Sequence, residues 1–162
     1  QATIVGIPYA DLDHWRGPYP ASVFATQFQK VADGWLDGVS ELRQAVDCAE
    51  APFKAQAEAD LRAAEAAGLH FASVANQARF VINRDLLATP TTPEPDKTQA
   101  RAALLTLLND ESRLARRLFT LARLDSRLGF EATNHYFYRP IDLVEKVVNV
   151  EYLKASLANQ PR

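Results

Sequence analysis

Apolar side chains recur at helical spacing in four separate stretches of the chain. In the first stretch they lie three, four or seven residues apart, at Phe24, Phe28, Val31, Trp35, Leu42 and Val46. The third stretch has one acid among its members, which are Leu104, Leu107, Leu108, Glu111, Leu114, Ala115, Leu118, Leu121 and Ala122. Such spacing places an apolar stripe along one side of a helix. The pattern predicts helices over about residues 22–48, 53–87, 96–124 and 140–158.

Segments rich in proline and glycine separate these stretches. Three prolines between Thr89 and Asp96 predict a stiff loop, and Glu50-Ala51-Pro52 predicts an earlier break. Residues 2–9 are rich in β-branched side chains, which is typical of an extended lead or an edge strand. Residues 11–20 contain Gly, Pro and Asp, which favour turns over helix. We therefore divide the chain into an extended lead and linker over residues 1–21 and a single helical domain over residues 22–162.

Amphipathic helices need one another to bury their apolar stripes. Short connections place consecutive helices side by side. The sequence therefore predicts an all-α fold, an antiparallel four-helix bundle or array with a short extended N-terminal lead.

Charge and composition argue against several classes of function. Acids and bases are interspersed at a formal net charge of -2, so no nucleic-acid-binding face is predicted. No apolar run reaches the roughly 18 residues of a membrane-spanning helix, so no membrane contact is expected. Cys48 is the single cysteine and is expected to be a buried or half-buried apolar residue. We expect neither a metal nor another cofactor, since phosphate-binding motifs are absent and metal-ligand spacing is lacking among His14, His70 and His135.

The first residue of the chain is Gln1, and the sequence contains no methionine. The chain is therefore expected to be a processed product or a fragment of a longer protein. In that case its function depends on a neighbouring domain.

The segment from Asp125 to Arg139 differs from an ordinary helix connection. It combines four aromatic side chains with acidic, basic, amide and imidazole groups. Aromatic faces stack on the C–H faces of pyranose rings, and sugar hydroxyls need directional donors and acceptors. We therefore expect a sugar-contacting loop with six candidate residues, Glu131, Asn134, His135, Tyr136, Tyr138 and Arg139.

Other interpretations of these residues stay open. The loop is also compatible with a buried corner, in which its aromatic rings plug the end of the bundle. A self-contained binding domain for a small ligand or a partner helix is a second hypothesis, because His70, Asn76 and Gln77 place polar groups near an apolar helix face. A stand-alone glycoside hydrolase would need a pair of carboxylates in a cleft, which we do not expect from the nearest candidates, Asp125, Glu131 and Asp142.

Several segments resemble the C-terminal helical region of multidomain bacterial proteins of the glycoside-hydrolase-like kind. They cover residues 7–12, 15–20, 70–77 and 125–136, the last continuing through Glu145-Lys146, so the likeness spans nearly the whole chain. The resemblance implies a module that follows a large catalytic barrel and packs against it. The loop at Asn134-His135-Tyr136 would then lie at the rim of the active-site cleft. The resemblance transfers no catalytic acid onto this chain, which lacks the barrel.

From this resemblance we expect an accessory module of a bacterial carbohydrate-active enzyme that is not catalytic alone. Its expected partners are a neighbouring catalytic domain and a carbohydrate, and neither nucleic acid nor a membrane. The cysteine count leaves the compartment open, and a periplasmic or secreted location is favoured over a cytoplasmic one.

Overall fold

The computed structural model describes residues 10–131 and 136–159, which form an array of helices. The elements in chain order are α1 (Leu12–Trp15), α2 (Ala21–Asp47), α3 (Ala51–Ala88), α4 (Glu94–Leu124), β1 (Phe130–Glu131), β2 (Tyr136–Phe137) and α5 (Pro140–Asn159). The predicted all-α class is confirmed, because the two described strands contain only two residues each. None of the described helices is both long and apolar enough to cross a bilayer.

The largest differences from the predicted helix boundaries occur at prolines. α3 begins at Ala51 and α4 at Glu94, each two residues before the predicted start, so that Pro52 and Pro95 fall inside the first turn. A proline is tolerated there because the N–H groups of the first turn have no acceptor within the helix. These prolines therefore begin their helices instead of preceding them.

The lead contains one helical turn, α1, where only turns and extended chain were predicted. Its backbone is capped by Asp11, whose side chain accepts a hydrogen bond from the backbone N–H of His14 at 3.3 Å. Arg16 Nε donates to Asp13 Oδ1 at 2.7 Å across the same turn. The helix ends before Gly17, whose φ of 57° is easiest for glycine. The extended stretch predicted for residues 2–9 lies outside the described residues.

The four long helices pack on one another in chain order and run antiparallel. α2 packs on α3, α3 on α4, and α4 on α5. In the last pair, Glu111 in the middle of α4 meets Lys146 in α5. Arg101, nearer the start of α4, donates to the carbonyl oxygen of Leu157, near the end of α5. A position later in α5 therefore contacts a position earlier in α4, which is the arrangement of an antiparallel pair.

The main core lies between α3, α4 and α5. Its buried members are Ala66, Leu69, Leu114, Ala115, Leu118, Leu121, Ala122 and Leu143. Leu143 is almost fully buried and is the only one of these from α5. The last helix is thus anchored to the array by a large side chain near its N-terminus.

The buried seam of α2 differs from the predicted stripe. Its buried residues recur every seven positions, at Ala25, Ala32, Val39 and Val46. Val31 and Trp35, which the predicted stripe included, are exposed by 49% and 43%. Small residues in the seam allow α2 and α3 to approach closely, and the larger side chains lie beside the seam. Trp35 still contacts α3, because its Nε1 donates to the carbonyl oxygen of Ala64 at 2.8 Å.

Cys48 is exposed, which corrects the expectation of a buried or half-buried residue. It forms the C-cap of α2, one position beyond Asp47. The buried seam ends at Val46, so the thiol lies past the last position that faces α3.

Candidate functional site

A short hairpin connects α4 to α5 and defines the backbone of the predicted sugar-contacting loop. β1 and β2 pair antiparallel, with Glu131 opposite Tyr136. The next backbone bond runs from the N–H of Tyr138 to the carbonyl oxygen of Gly129 at 2.6 Å. Gly129 has a φ of 81°, and a Cβ there would lie 2.5 Å from the backbone carbonyl oxygen of Tyr138. A side chain at this position would therefore collide with the opposite arm of the hairpin.

The six predicted sugar-contacting residues divide into three groups. Asn134 and His135 lie outside the described residues. Glu131 and Tyr136 are described through their backbone pairing alone. Tyr138 and Arg139 are described with their side chains, and the prediction for the loop stays a prediction.

Tyr138 is half-buried and connects the hairpin to the core. Its ring meets the edge of His70 at a centroid distance of 5.5 Å, and the Lys146 ammonium lies 5.5 Å from its centroid. It also packs against the main apolar cluster. The Tyr138 ring therefore serves as a wall between the hairpin and the polar interior of the array.

Arg139 is exposed and holds the start of α5. Its guanidinium donates to both carboxylate oxygens of Asp142, at 3.1 and 3.2 Å. Its backbone N–H donates to the same carboxylate at 3.0 Å. These hydrogen bonds keep the pKa of Asp142 below its usual value. Hydrogen bonds from the side chain and the backbone of Arg127 likewise lower the pKa of Asp125 to about 2. Both carboxylates stay ionised near neutral pH, which does not suit a general acid.

A buried polar cluster lies beneath Tyr138, between α3, α4 and α5. Its centre is the carboxylate of Glu111, which is only 8% exposed. Three groups donate to it, the Ser73 hydroxyl, the Lys146 ammonium and the Asn76 amide, the last at 3.2 Å. Ser73 Oγ accepts in turn from Lys146 and from Gln77, both at 3.1 Å. The charge of a buried carboxylate is thus compensated by an ion pair and by hydrogen bonds.

His70 borders this cluster on the side of Tyr138. Burial, together with the nearby Lys146 charge, lowers the pKa of His70 below its usual value, against a smaller opposing effect of Glu111. The imidazole is therefore neutral at physiological pH. His70 takes part in packing and in the electrostatics of the cluster.

A groove of about 420 Å³ opens beside the cluster, between α3, α4 and α5. Its apolar lining residues are Phe80, Leu107, Leu108, Val150 and Leu153. Its polar lining residues are Asn76, Gln77, Glu111, Asp142, Glu145, Lys146 and Asn149. Small-molecule sites usually have this size, a mostly apolar wall and a few placed polar groups. The groove therefore has the size and lining of a candidate small-molecule site.

Part of this site was predictable from the sequence. His70, Asn76 and Gln77 were predicted as polar groups near an apolar helix face, and all three lie at the cluster or the groove. Glu111 was noted within the leucine stripe of α4 but was not proposed as a site residue. A carboxylate at a stripe position is the signal that points to it, because a buried acid needs a partner. Which lysine supplies that partner depends on how α5 packs.

Within residues 10–131 and 136–159, no group of three or more His, Cys, Asp or Glu side chains is placed to hold a metal ion. Comparison of the chain with protein-family profiles, curated proteins and solved structures gave no match. The resemblance to glycoside-hydrolase-like proteins therefore stays a prediction.

Proposed function

We propose that this chain is an accessory helical module of a bacterial carbohydrate-active enzyme. It packs on a neighbouring domain through the outer face of α5, and the loop over residues 125–139 contributes to glycan contact. The packing proposal is carried by one observation, an exposed apolar stripe on the last helix.

The outer stripe of α5 consists of residues three or four positions apart, Ile141, Val144, Val148 and Tyr152, all of them exposed. The same helix directs Leu143 and Val150 into the array. A helix that is apolar on both sides is normally covered on both sides. Contiguous exposed apolar side chains mark interaction surfaces. The outer stripe therefore supports a second packing partner for α5.

The charges beside the outer stripe favour a different protein surface over a second copy of this chain. Glu145 and Glu151 lie on opposite sides of the stripe. In an antiparallel α5–α5 pair centred on Val148, Glu145 of one copy would meet Glu151 of the other, and like charges disfavour that contact. Lys154 pairs with Glu151 at 3.0 Å, whereas Glu145 has no ion pair among the described residues. The surface that complements the stripe is therefore an apolar patch on a different protein surface.

The position of the stripe connects the two parts of the proposal. Ile141 lies two residues after Arg139, so a domain that covers the outer stripe also lies beside the hairpin. Tyr138 and Arg139 hold the C-terminal arm of that hairpin on the array through their contacts with His70 and Asp142. A glycan bound at the boundary between the two domains could then reach the loop.

The packing is tested by hydrogen exchange on the isolated chain and on the full-length product of its gene. We expect the α5 amides to exchange about tenfold more slowly in the longer protein, because a covered helix opens less often. The substitution Val148→Lys should abolish this additional protection, since it places an ammonium group within the apolar contact.

Val31→Lys provides the matched control, because Val31 is an exposed valine on α2, a helix that packs mainly on α3. It should leave the protection of α5 in the longer protein unchanged. A gene product no longer than this chain, or equal exchange of α5 in both proteins, would overturn the packing proposal.

Glycan contact is tested by titrating the chain with a panel of oligosaccharides and recording its amide NMR spectrum. Shifts centred on residues 131–139 at millimolar sugar are the expected result. An unchanged spectrum of the full-length protein under the same conditions would contradict a role of the loop in sugar contact.

A further inference from the structure

The groove between α3, α4 and α5 presents two amide oxygens that no described residue donates to, and the bonding of the buried cluster explains their orientation. A carboxylate can only accept hydrogen bonds. The Asn76 amide must therefore present Nδ2 to Glu111, and no described residue donates to its Oδ1. The side-chain oxygen of Asn76 is therefore available to accept a hydrogen bond from a ligand in the groove.

The orientation of Gln77 follows from the same reasoning. Ser73 gives its only proton to Glu111, so Ser73 Oγ acts as an acceptor toward Gln77 Nε2. Gln77 Oε1 has no donor among the described residues. Lys146 directs its ammonium to Glu111 and Ser73 and stacks over Tyr138, so it offers the groove little donor capacity.

The carboxylates of the groove differ in whether a cation neutralises them. Lys146 neutralises Glu111, and Arg139 neutralises Asp142. Glu145 is the groove carboxylate that lacks an ion pair within the described part of the chain. An anionic ligand would be repelled by this uncompensated charge, and a neutral polyol would leave it without a counter-ion. A cationic donor satisfies both the carboxylate and the amide oxygens.

We propose that this groove binds an amphiphilic primary amine. The ammonium donates to Glu145 and to the amide oxygens of Asn76 and Gln77, and the hydrocarbon body lies against the apolar wall formed by Phe80, Leu107, Leu108, Val150 and Leu153. Burying the hydrocarbon removes apolar surface from water, and the carboxylate supplies a charge-assisted hydrogen bond. The site requires no neighbouring domain, so it stands or falls separately from the proposed packing of α5.

The probe for this site is n-hexylammonium, and its matched analogues are 1-hexanol and hexanoate. We expect n-hexylammonium at about 10 mM to move the side-chain amide signals of Asn76, Gln77 and Asn149 in the NMR spectrum. The alcohol and the carboxylate, which lack the cation, should bind at least tenfold more weakly, as the loss of a hydrogen bond to a charged group predicts.

Three variants complete the experiment. Glu145→Gln should weaken n-hexylammonium binding about tenfold, and Glu151→Gln, on the opposite side of the outer stripe, should leave it within about twofold. Leu153→Trp, at a partly exposed position of the wall, should block the groove. The proposal is overturned if 1-hexanol binds as tightly as the amine, if the two glutamate variants behave alike, or if the shifts lie outside the groove.

Discussion

At the residue scale, the arrangement around Glu111 explains how α4 can carry an acid inside its leucine stripe. The carboxylate accepts from Ser73, Asn76 and Lys146, so three hydrogen-bond donors replace the water lost on burial. The stability of such a cluster depends on the balance of its charges. Removing one charge leaves the other without compensation, whereas removing both restores an apolar contact.

Replacing Glu111 with Leu should lower the free energy of unfolding by about 2–4 kcal/mol, because the Lys146 ammonium then lacks its counter-ion in a partly buried position. Adding Lys146→Met to that variant should recover most of the loss. Urea unfolding of the wild type, both single variants and the double variant gives the coupling energy. Additive effects of the two substitutions would contradict the ion pair as described.

The lowered pKa of His70 predicts a dependence of stability on pH. Between the folded and the unfolded pKa values, the unfolded chain binds more protons at this site than the folded chain does. The free energy of unfolding therefore falls as pH decreases below the ordinary histidine pKa of 6.5. The difference in unfolding free energy between wild type and His70→Gln should shrink from pH 7.5 to about 5.5, measured by urea unfolding.

His14 serves as the control for this measurement, because its pKa is raised by the hydrogen bond with Asp11. Its contribution has the opposite sign, since it is present at low pH and lost as pH rises above the ordinary histidine pKa. The wild-type advantage over His14→Gln should therefore grow as pH falls. The same trend for both variants would be inconsistent with a half-buried, neutral His70.

At the scale of elements, glycines show where helices approach closely. A Cβ at Gly68 of α3 would lie 2.8 Å from Leu36 Cδ2 and 3.0 Å from Trp35 Cδ1. At Gly34 and Gly38 of α2, an added Cβ would meet nothing within 4 Å. The closeness of the α2–α3 contact therefore depends on Gly68, whereas the two glycines of α2 are not required by packing.

Gly68→Ala should lower the free energy of unfolding by about 1–3 kcal/mol, because the added methyl group displaces two packed side chains. Gly34→Ala and Gly38→Ala should each raise it by about 0.5–1 kcal/mol, since alanine loses less backbone entropy than glycine in a helix. Urea unfolding of the three variants measures both effects. Stabilisation by all three would show that α2 and α3 are further apart at Gly68 than the structure indicates.

The hairpin between α4 and α5 illustrates how a local backbone feature fixes the position of an element. Gly129 allows the chain to turn back, and Tyr138 then packs on His70 and the core. At the start of α5, the backbone N–H of Arg139 donates to the carboxylate of Asp142. The aromatic content of the loop was evident in the sequence, but the half-buried position of Tyr138 follows from the contact with α3.

At the scale of the whole molecule, the helices are packed in chain order, and α5 forms the last layer. Its inner face completes the core through Leu143, while its outer face carries Val148 and Tyr152 in exposed positions. A helix at the end of such an array has one side left for a partner. The proposed docking surface and the groove therefore lie on neighbouring sides of the same helix.

The existence and approximate limits of the four long helices could be predicted from the sequence, because hydrophobic periodicity is a local property of the chain. The leucine stripe of α4 agrees with its buried residues, and the prolines at 52 and 95 lie within two residues of the predicted helix starts. The seam of α2 could not be predicted in this way. Large side chains dominate a periodic pattern, while Ala25 and Ala32 are buried because α3 approaches them.

The sequence by itself determined the all-α class, the order of the helices and the presence of an acid in the stripe of α4, because each depends on residues close together in the chain. Only the tertiary structure decided that Glu111 pairs with Lys146 and accepts from Asn76, and that Asn76 and Gln77 line one groove. The contacts of Glu111 with Asn76 and Lys146 join three helices, each across 35 residues, and side-chain partners at such separation are set by helix packing.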